Sequence, residues 1–207
     1  MSDPVYCYPP DFIVLRNKLD IRDPDTLDKA ERLHVRNRAE QGIPTGNFDL
    51  AHLKAIHGHL FQDVYDWAGQ VRTVEISKDG SQFQTVRFIE TGMADIHKRI
   101  VVARCFRGLG GDEFAKQVGL VMGDVNYVHP FREGNGRTQL QYLKQLAGEA
   151  GHSLDLEKID RARWMDASRQ AQAADYAPMS QSIREALSAE RDRAKGRGHD
   201  RGGERER

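Results

Sequence analysis

The chain has 207 residues, 39% of them hydrophobic and 30% charged, which is enough apolar material to bury the core of one ordinary domain and too much for wholesale disorder. Lys plus Arg equals Asp plus Glu, 31 against 31, for a formal net charge of +0. No global field therefore gathers nucleic acid or an anionic membrane, neither is expected as a partner, and any phosphate chemistry needs a local site. Two cysteines, Cys7 and Cys105, cannot frame a disulfide scaffold. The N-terminus lacks the basic-then-apolar order of a leader peptide, and no apolar run approaches the ~20 residues that span a bilayer. The expectation is a cytoplasmic protein, with export by another kind of signal left open.

Residues 1–25 hold Pro4, Pro9, Pro10 and Pro24 and read as an extended segment. Asp25 or Thr26 is placed to cap a first helix reaching Gln41, where Gly42 and Pro44 stop it. Thr45 or Asn47 opens a second, whose Leu50, Leu53, Ile56, Leu60, Phe61 and Val64 recur at three and four residues, with Gly69 closing it. Alternation then takes over. Val71, Thr73, Glu75 and Ser77 alternate with Arg72, Val74 and Ile76, followed by the turn Lys78-Asp79-Gly80-Ser81 and a return strand over 83–86. A lone hairpin is marginal and needs helices or a ligand to lie against. Helical periodicity resumes over 89–106, 112–127, 138–150, 161–174 and 179–189, the last two divided by Pro178. Residues 190–207 carry seven basic and five acidic residues, four glycines and no large apolar side chain. Such a stretch cannot recover its ordering entropy by burial and reads as a disordered charged tail. The fold expected is mainly α: an extended segment over 1–25, one helical domain with a single hairpin over 26–189, and the tail over 190–207.

The chemistry gathers at His129-Pro130-Phe131-Arg132-Glu133-Gly134-Asn135-Gly136-Arg137, between two predicted helices. Gly134 and Gly136 let the backbone turn tightly and approach a ligand. N–H groups at a helix start beside the Arg137 guanidinium make a cradle for phosphate. Glu133 can hold a hard cation such as Mg²⁺, His129 can take a proton near neutral pH, and Asn135 offers an amide to charge on a phosphate oxygen. Any one of these residues could belong to a capped turn between helices; together they describe phosphoryl or nucleotidyl transfer. Elsewhere, His52, His57 and His59 complete no metal-ligand spacing and read as surface or capping histidines. Gly108-Leu109-Gly110-Gly111 lacks the Lys-Ser or Lys-Thr of a P-loop and reads as a connector.

This stretch resembles the HxFx(D/E)GNGRxxR signature of the Fic family, which contains protein adenylyltransferases, at His129, Phe131, Glu133, Gly134, Asn135, Gly136 and Arg137. Upstream, Tyr65-Asp66-Trp67-Ala68-Gly69-Gln70-Val71-Arg72 resembles the family's YxWAGxxR segment, and the hairpin after it resembles the family's flap. The resemblance implies a Fic-type helical domain that transfers AMP from ATP, with Mg²⁺, to a Ser, Thr or Tyr hydroxyl of a target protein. It implies that His129 deprotonates the hydroxyl and Glu133 binds Mg²⁺. Gly134, Asn135 and Gly136 would form the anion hole, and Arg137 would pair with the phosphate tail. Phe131 would anchor the core. Lys78 and Asp79 would lie near the nucleotide, with Gly80 and Phe83 in the flap that docks the target. The implied partners are the protein substrate and a small antitoxin restraining a toxin. The pattern's last Arg falls at Leu140, which can neither hold a terminal phosphate nor pair with an inhibitory glutamate. Transfer of another nucleotide monophosphate, transfer of phosphate as in the Doc toxins, and a weakly active partner-binding module therefore stay open. The Gly-Asn-Gly-Arg sequence resembles the nucleotidyl-transferring members rather than the Ala-Asn-Lys-Arg of Doc.

Overall fold

The computed structural model describes residues 3–78 and 80–188; Asp79 and the tail read over 190–207 lie outside the described residues. The first helix, α1 (Pro24–Glu40), begins earlier than expected. The Asp23 carboxylate, not Asp25 or Thr26, caps it by accepting from the Thr26 N–H at 2.8 Å, and Pro24 takes the first turn, where a missing N–H costs nothing. The second, α2 (Leu50–Phe61), is capped by Asp49 rather than Thr45 or Asn47 and ends well before Gly69. The third, α3 (Ile89–Val102), stops short of Phe106, because Arg104, Cys105 and Phe106 take left-handed backbone angles in succession and cannot continue a right-handed helix. Four more follow: α4 (Gly111–Val128), α5 (Asn135–Ala150), α6 (Arg161–Gln172) and α7 (Ala177–Ala186).

Helix α4 is central and packs against α3, α5, α6 and α7, while α2 lies on α1 and α5. Ile56, Met93, Val118 and Leu143, one from each of α2 to α5, are fully buried in a common core, each such side chain contributing about 1.5–3 kcal/mol. The segment before α1 is not a detached arm. Tyr6, Cys7 and Val14 are buried, Cys7 bridges to Leu15, and Asp3 pairs with Arg132. No helix among the described residues is long and apolar enough to cross a membrane.

Between α2 and α3 lies the hairpin, much shorter than the alternation suggests. Strand β1 (Ser77–Lys78) pairs antiparallel with β2 (Ser81–Gln82), Ser77 opposite Gln82 and Lys78 opposite Ser81. Flanking backbone groups find other partners. The Thr73 N–H donates to the Tyr6 hydroxyl, the Gln84 N–H to the Tyr127 carbonyl, and the Val86 N–H to the Glu75 carboxylate. The Arg72 guanidinium takes the carbonyls of Val74 and Gln84. With those groups satisfied elsewhere, a longer ladder has nothing to pair.

Candidate active site

The corner between α4 and α5 is built from short-range contacts. His129 ends α4 in the left-handed region (φ 44°, ψ 63°), and Pro130, which has no N–H to donate, carries the chain away. Phe131 is fully buried, its ring stacked on His57 at 3.9 Å. The Asn135 carboxamide holds the turn closed, Oδ1 accepting from the Phe131 N–H at 3.0 Å and Nδ2 donating to the Phe131 carbonyl at 2.7 Å. That side-chain amide is therefore engaged within the turn, both its oxygen and its nitrogen bonded to Phe131. What Asn135 can offer is its backbone N–H at the start of α5, where helices leave N–H groups without intrahelical partners.

Gly134 opens α5 at φ 81°, and a Cβ there would stand 2.3 Å from the Phe61 ring, so this close approach admits only glycine. Its carbonyl accepts from the Thr138 N–H and hydroxyl at 3.1 and 3.0 Å, and its N–H donates to Glu133 Oε1 at 2.9 Å. The N–H groups of the first turn and the exposed Gly136 thus stand at the positive end of the helix. The Arg137 guanidinium lies 4.8 Å over the Phe61 ring, 3.6 Å from Glu133 Oε1, and pairs with Glu31 of α1. Glu31 is 4% exposed and also accepts from the Tyr65 hydroxyl, whose proton burial and that carboxylate hold far more tightly than usual. Sequence reasoning missed Glu31 and the role of Tyr65. The Glu31–Arg137 contact spans 106 residues and no local spacing announces it.

His129 is half-buried. Its Nδ1 lies 3.0 Å from the Asn126 carbonyl, which can only accept, so Nδ1 carries the hydrogen and Nε2 the lone pair. Burial pushes its pKa down to about 4, against the Asn126 hydrogen bond and with help from the Arg72 and Lys78 charges. At neutral pH the ring is uncharged and ready to accept a proton. Phe83, buried just after the hairpin's return strand, stacks on it at 3.7 Å and 18° between planes.

A cleft of about 950 Å³ brings these groups together, its walls including His129, Glu133, the first turn of α5, Lys78 and Phe83. Gly80 stands outside it, in the exposed turn between the strands at φ 81°, and Asp79 lies outside the described residues. Leu140 is half-buried against the core and also lines the cleft. So do Gln139 and Trp164, both buried, whose carboxamide and indole N–H have no hydrogen-bond partner in the protein. No group of three or more His, Cys, Asp or Glu among the described residues could hold a metal alone. The half-exposed Glu133 carboxylate does fit a cation whose other ligands are phosphate oxygens and water. His52 and His57 are buried rather than at the surface. His57 accepts from the Gly69 N–H at 2.8 Å and donates from Nε2 to the Glu133 carbonyl at 3.0 Å, tying α2 to the corner.

Chemically, this arrangement can take a proton from a hydroxyl beside a held phosphate, the requirement of a phosphoryl- or nucleotidyl-transfer enzyme. The sequence pattern of the Fic/DOC family matches residues 47–147. The chain is 39% identical over 188 residues to the probable protein adenylyltransferase y4lH of Sinorhizobium fredii, covering 89% of this chain and 95% of that one. It is 30% identical over 185 residues to the probable protein adenylyltransferase Fic of Escherichia coli, with 88% and 92% covered. The BepC effector of Bartonella tribocorum, solved with bound AMPPNP, superposes with a TM-score of 0.81 at 26% identity, covering 90% of this chain and 97% of that one. The chain belongs to the Fic/DOC family, and its relatives bear the name protein adenylyltransferase.

Proposed function

We propose that the protein transfers AMP from ATP to a Ser, Thr or Tyr hydroxyl of a target protein. The observation that carries this reading is the juxtaposition in one cleft of an uncharged His129, its Nε2 lone pair unused, with the N–H groups and guanidinium that open α5. Nε2 accepts the target's hydroxyl proton as the oxygen attacks the α-phosphorus, the bond from that phosphorus to the bridging oxygen breaks, and pyrophosphate leaves. The first-turn N–H groups of Asn135, Gly136 and Arg137, following Gly134, meet the charge that develops, and the Arg137 side chain pairs with the phosphate tail. Glu133 would hold Mg²⁺, which when bound offsets charge on the α- and β-phosphates. Lys78, which lines the cleft, is assigned to the nucleotide, as Asp79 is on the family resemblance alone, while Gly80 and Phe83 belong to a flap whose exposed strands can take up an extended target segment. The names of the relatives and the AMPPNP bound by BepC support the same reading.

The test is incubation with ATP labelled at either the α- or the γ-phosphate. Label from the α position retained on protein, and lost with His129→Ala, is the expected result; label from γ alone overturns the proposal. Leu140 favours a second reading, transfer from another nucleoside triphosphate, because an apolar side chain cannot grip a terminal phosphate. Competition by GTP, CTP and UTP against labelled ATP separates the two. Leu140 also gives an inhibitory carboxylate no cation to meet, so restraint would come from another chain or by another mechanism; a separate small antitoxin protein in the cytoplasm is the partner we propose.

A further inference from the structure

We infer that Arg72 is a positioning residue that holds the flap and the base in one register, so that a docked target hydroxyl arrives at His129; this rests on reading His129 as the base. Arg72 is 1% exposed and heads the fully buried side chains by size. A guanidinium taken out of water is expensive to hold unless its donors are met, and here carbonyls from two separate parts of the chain meet them. On the flap side, Nη1 donates to the Val74 carbonyl at 2.8 Å and Nη2 to the Gln84 carbonyl. On the corner side, Nε donates to the His129 carbonyl at 2.9 Å and Nη2 reaches the Val128 carbonyl at 3.5 Å. The backbone N–H of Arg72 adds a bond to the Pro130 carbonyl at 2.9 Å. Its ion-pair partner among the described residues, Glu75, stands at 3.4 Å and is 60% exposed, so the carbonyls are the main anchors.

Val74 and Gln84 belong to the feet of the two flap strands; Val128, His129 and Pro130 form the corner where α4 ends. One planar fork therefore fixes the distance between the docking edge and the base. It also accounts for the left-handed backbone of His129, a conformation that a non-glycine residue holds only when its surroundings over-determine it. Arg72 reaches the reaction only through the backbone. A lysine would keep the charge, but one ammonium nitrogen cannot stand at the three separate positions that Nε, Nη1 and Nη2 of the planar fork occupy.

Arg72→Lys and Arg72→Met test this, with His129→Ala as the separate control on the base. Four quantities are read: melting temperature, ATP affinity, AMP transfer from α-labelled ATP to lysate protein, and titration of the His129 ring by NMR. The Lys variant is expected to fold, to bind ATP within about twofold because the α5 cradle is untouched, and to lose transfer by about 100-fold, the scale of a 1 Å misplacement. The loss falls on kcat, with KM for ATP unchanged. The charges that press on the His129 ring are Arg72 and Lys78, so Arg72→Met is expected to raise its titration midpoint. Wild-type transfer and an unshifted His129 resonance in Arg72→Lys overturn the inference, as does ATP affinity falling in step with transfer, since the loss is then general. If Arg72→Met does not fold, Arg72→Lys decides alone. Transfer retained by His129→Ala overturns the base assignment instead, and the His129 resonance in Arg72→Lys still reports whether the guanidinium places the ring.

Discussion

The two walls of the cleft are held together in different ways. On the α5 wall the turn itself is closed by links short in sequence, Asn135 to Phe131, Thr138 to Gly134 and Glu133 to Gly134, with Glu31 on Arg137 and His57 on the Glu133 carbonyl as added long-range supports. On the flap wall they run 57 residues from Arg72 to His129 and 67 from Tyr6 to Thr73, and the hairpin itself pairs only two residues with two. A cradle closed by neighbours keeps its shape as long as α5 stands. A two-residue ladder is too small to be stable alone and takes its order from α4 and the N-terminal segment. Phosphate binding and target docking should therefore fail separately.

The largest expected effect separates them most cleanly. His129→Ala removes the proton acceptor without touching the cradle, so transfer should fall by about 10²–10⁴-fold while ATP affinity by calorimetry is unchanged; joint loss of both would erase the distinction. Gly134→Ala strikes the other wall. Its Cβ meets the Phe61 ring at 2.3 Å on a backbone at φ 81°, and such strain costs about 1–3 kcal/mol. A lowered melting temperature and at least roughly tenfold weaker ATP binding, equivalent to about 1.4 kcal/mol, should follow, and an unchanged ATP affinity would count against the cradle.

Acid comes next. His129 titrates at about 4 in the folded protein against an ordinary 6.5, and only the neutral ring can act as base. The acid limb of kcat/KM should therefore lie near pH 4; a limb at 6.5 would mean that the ring is not shielded. His57, pushed down by burial to about 4 as well, has a folded pKa below its unfolded one. Its share of stability is full above pH 6.5 and lost as pH falls toward 4, at up to about 1.4 kcal/mol per unit, so melting curves must accompany the rate profile. The smallest effect concerns Glu31, which pairs with Arg137 and, on the proposed function, would compete there with phosphate. Glu31→Gln keeps an acceptor for Tyr65 but drops the charge, and ATP should bind about 2–5-fold tighter at low salt, fading as salt rises.

The same contrast decides what can be read from the sequence. All seven helices of the described residues are anticipated in the sequence, the first from its cap and breaker residues and the second, fourth and fifth most clearly from apolar residues recurring at three and four. His129, Glu133, Gly134 and Arg137 stand within nine residues and are conspicuous as a group. Helix ends are less legible. Several Asp, Asn and Thr residues compete for each cap, and Asp23 and Asp49 prevail through geometry that spacing does not reveal. Alternation draws the hairpin too long because it cannot show that a buried arginine intercepts the carbonyls of Val74 and Gln84. His57 reads as a surface or capping residue; its bonds to backbone groups fit the second, while its burial goes unseen because its aromatic neighbours include Phe131 from a distant element.

The family's sequence pattern begins at residue 47, but the carboxylate beside Arg137 comes from position 31, and Val14, Leu27 and Val35 close the core over α2. A fragment trimmed to the matched stretch would expose that apolar surface to water, release Arg137 from its partner, and lose the N-terminal wall of the cleft. The smallest portable unit for grafting this chemistry onto another protein must therefore carry α1 and the segment before it, and extend through α7, on which α4 leans.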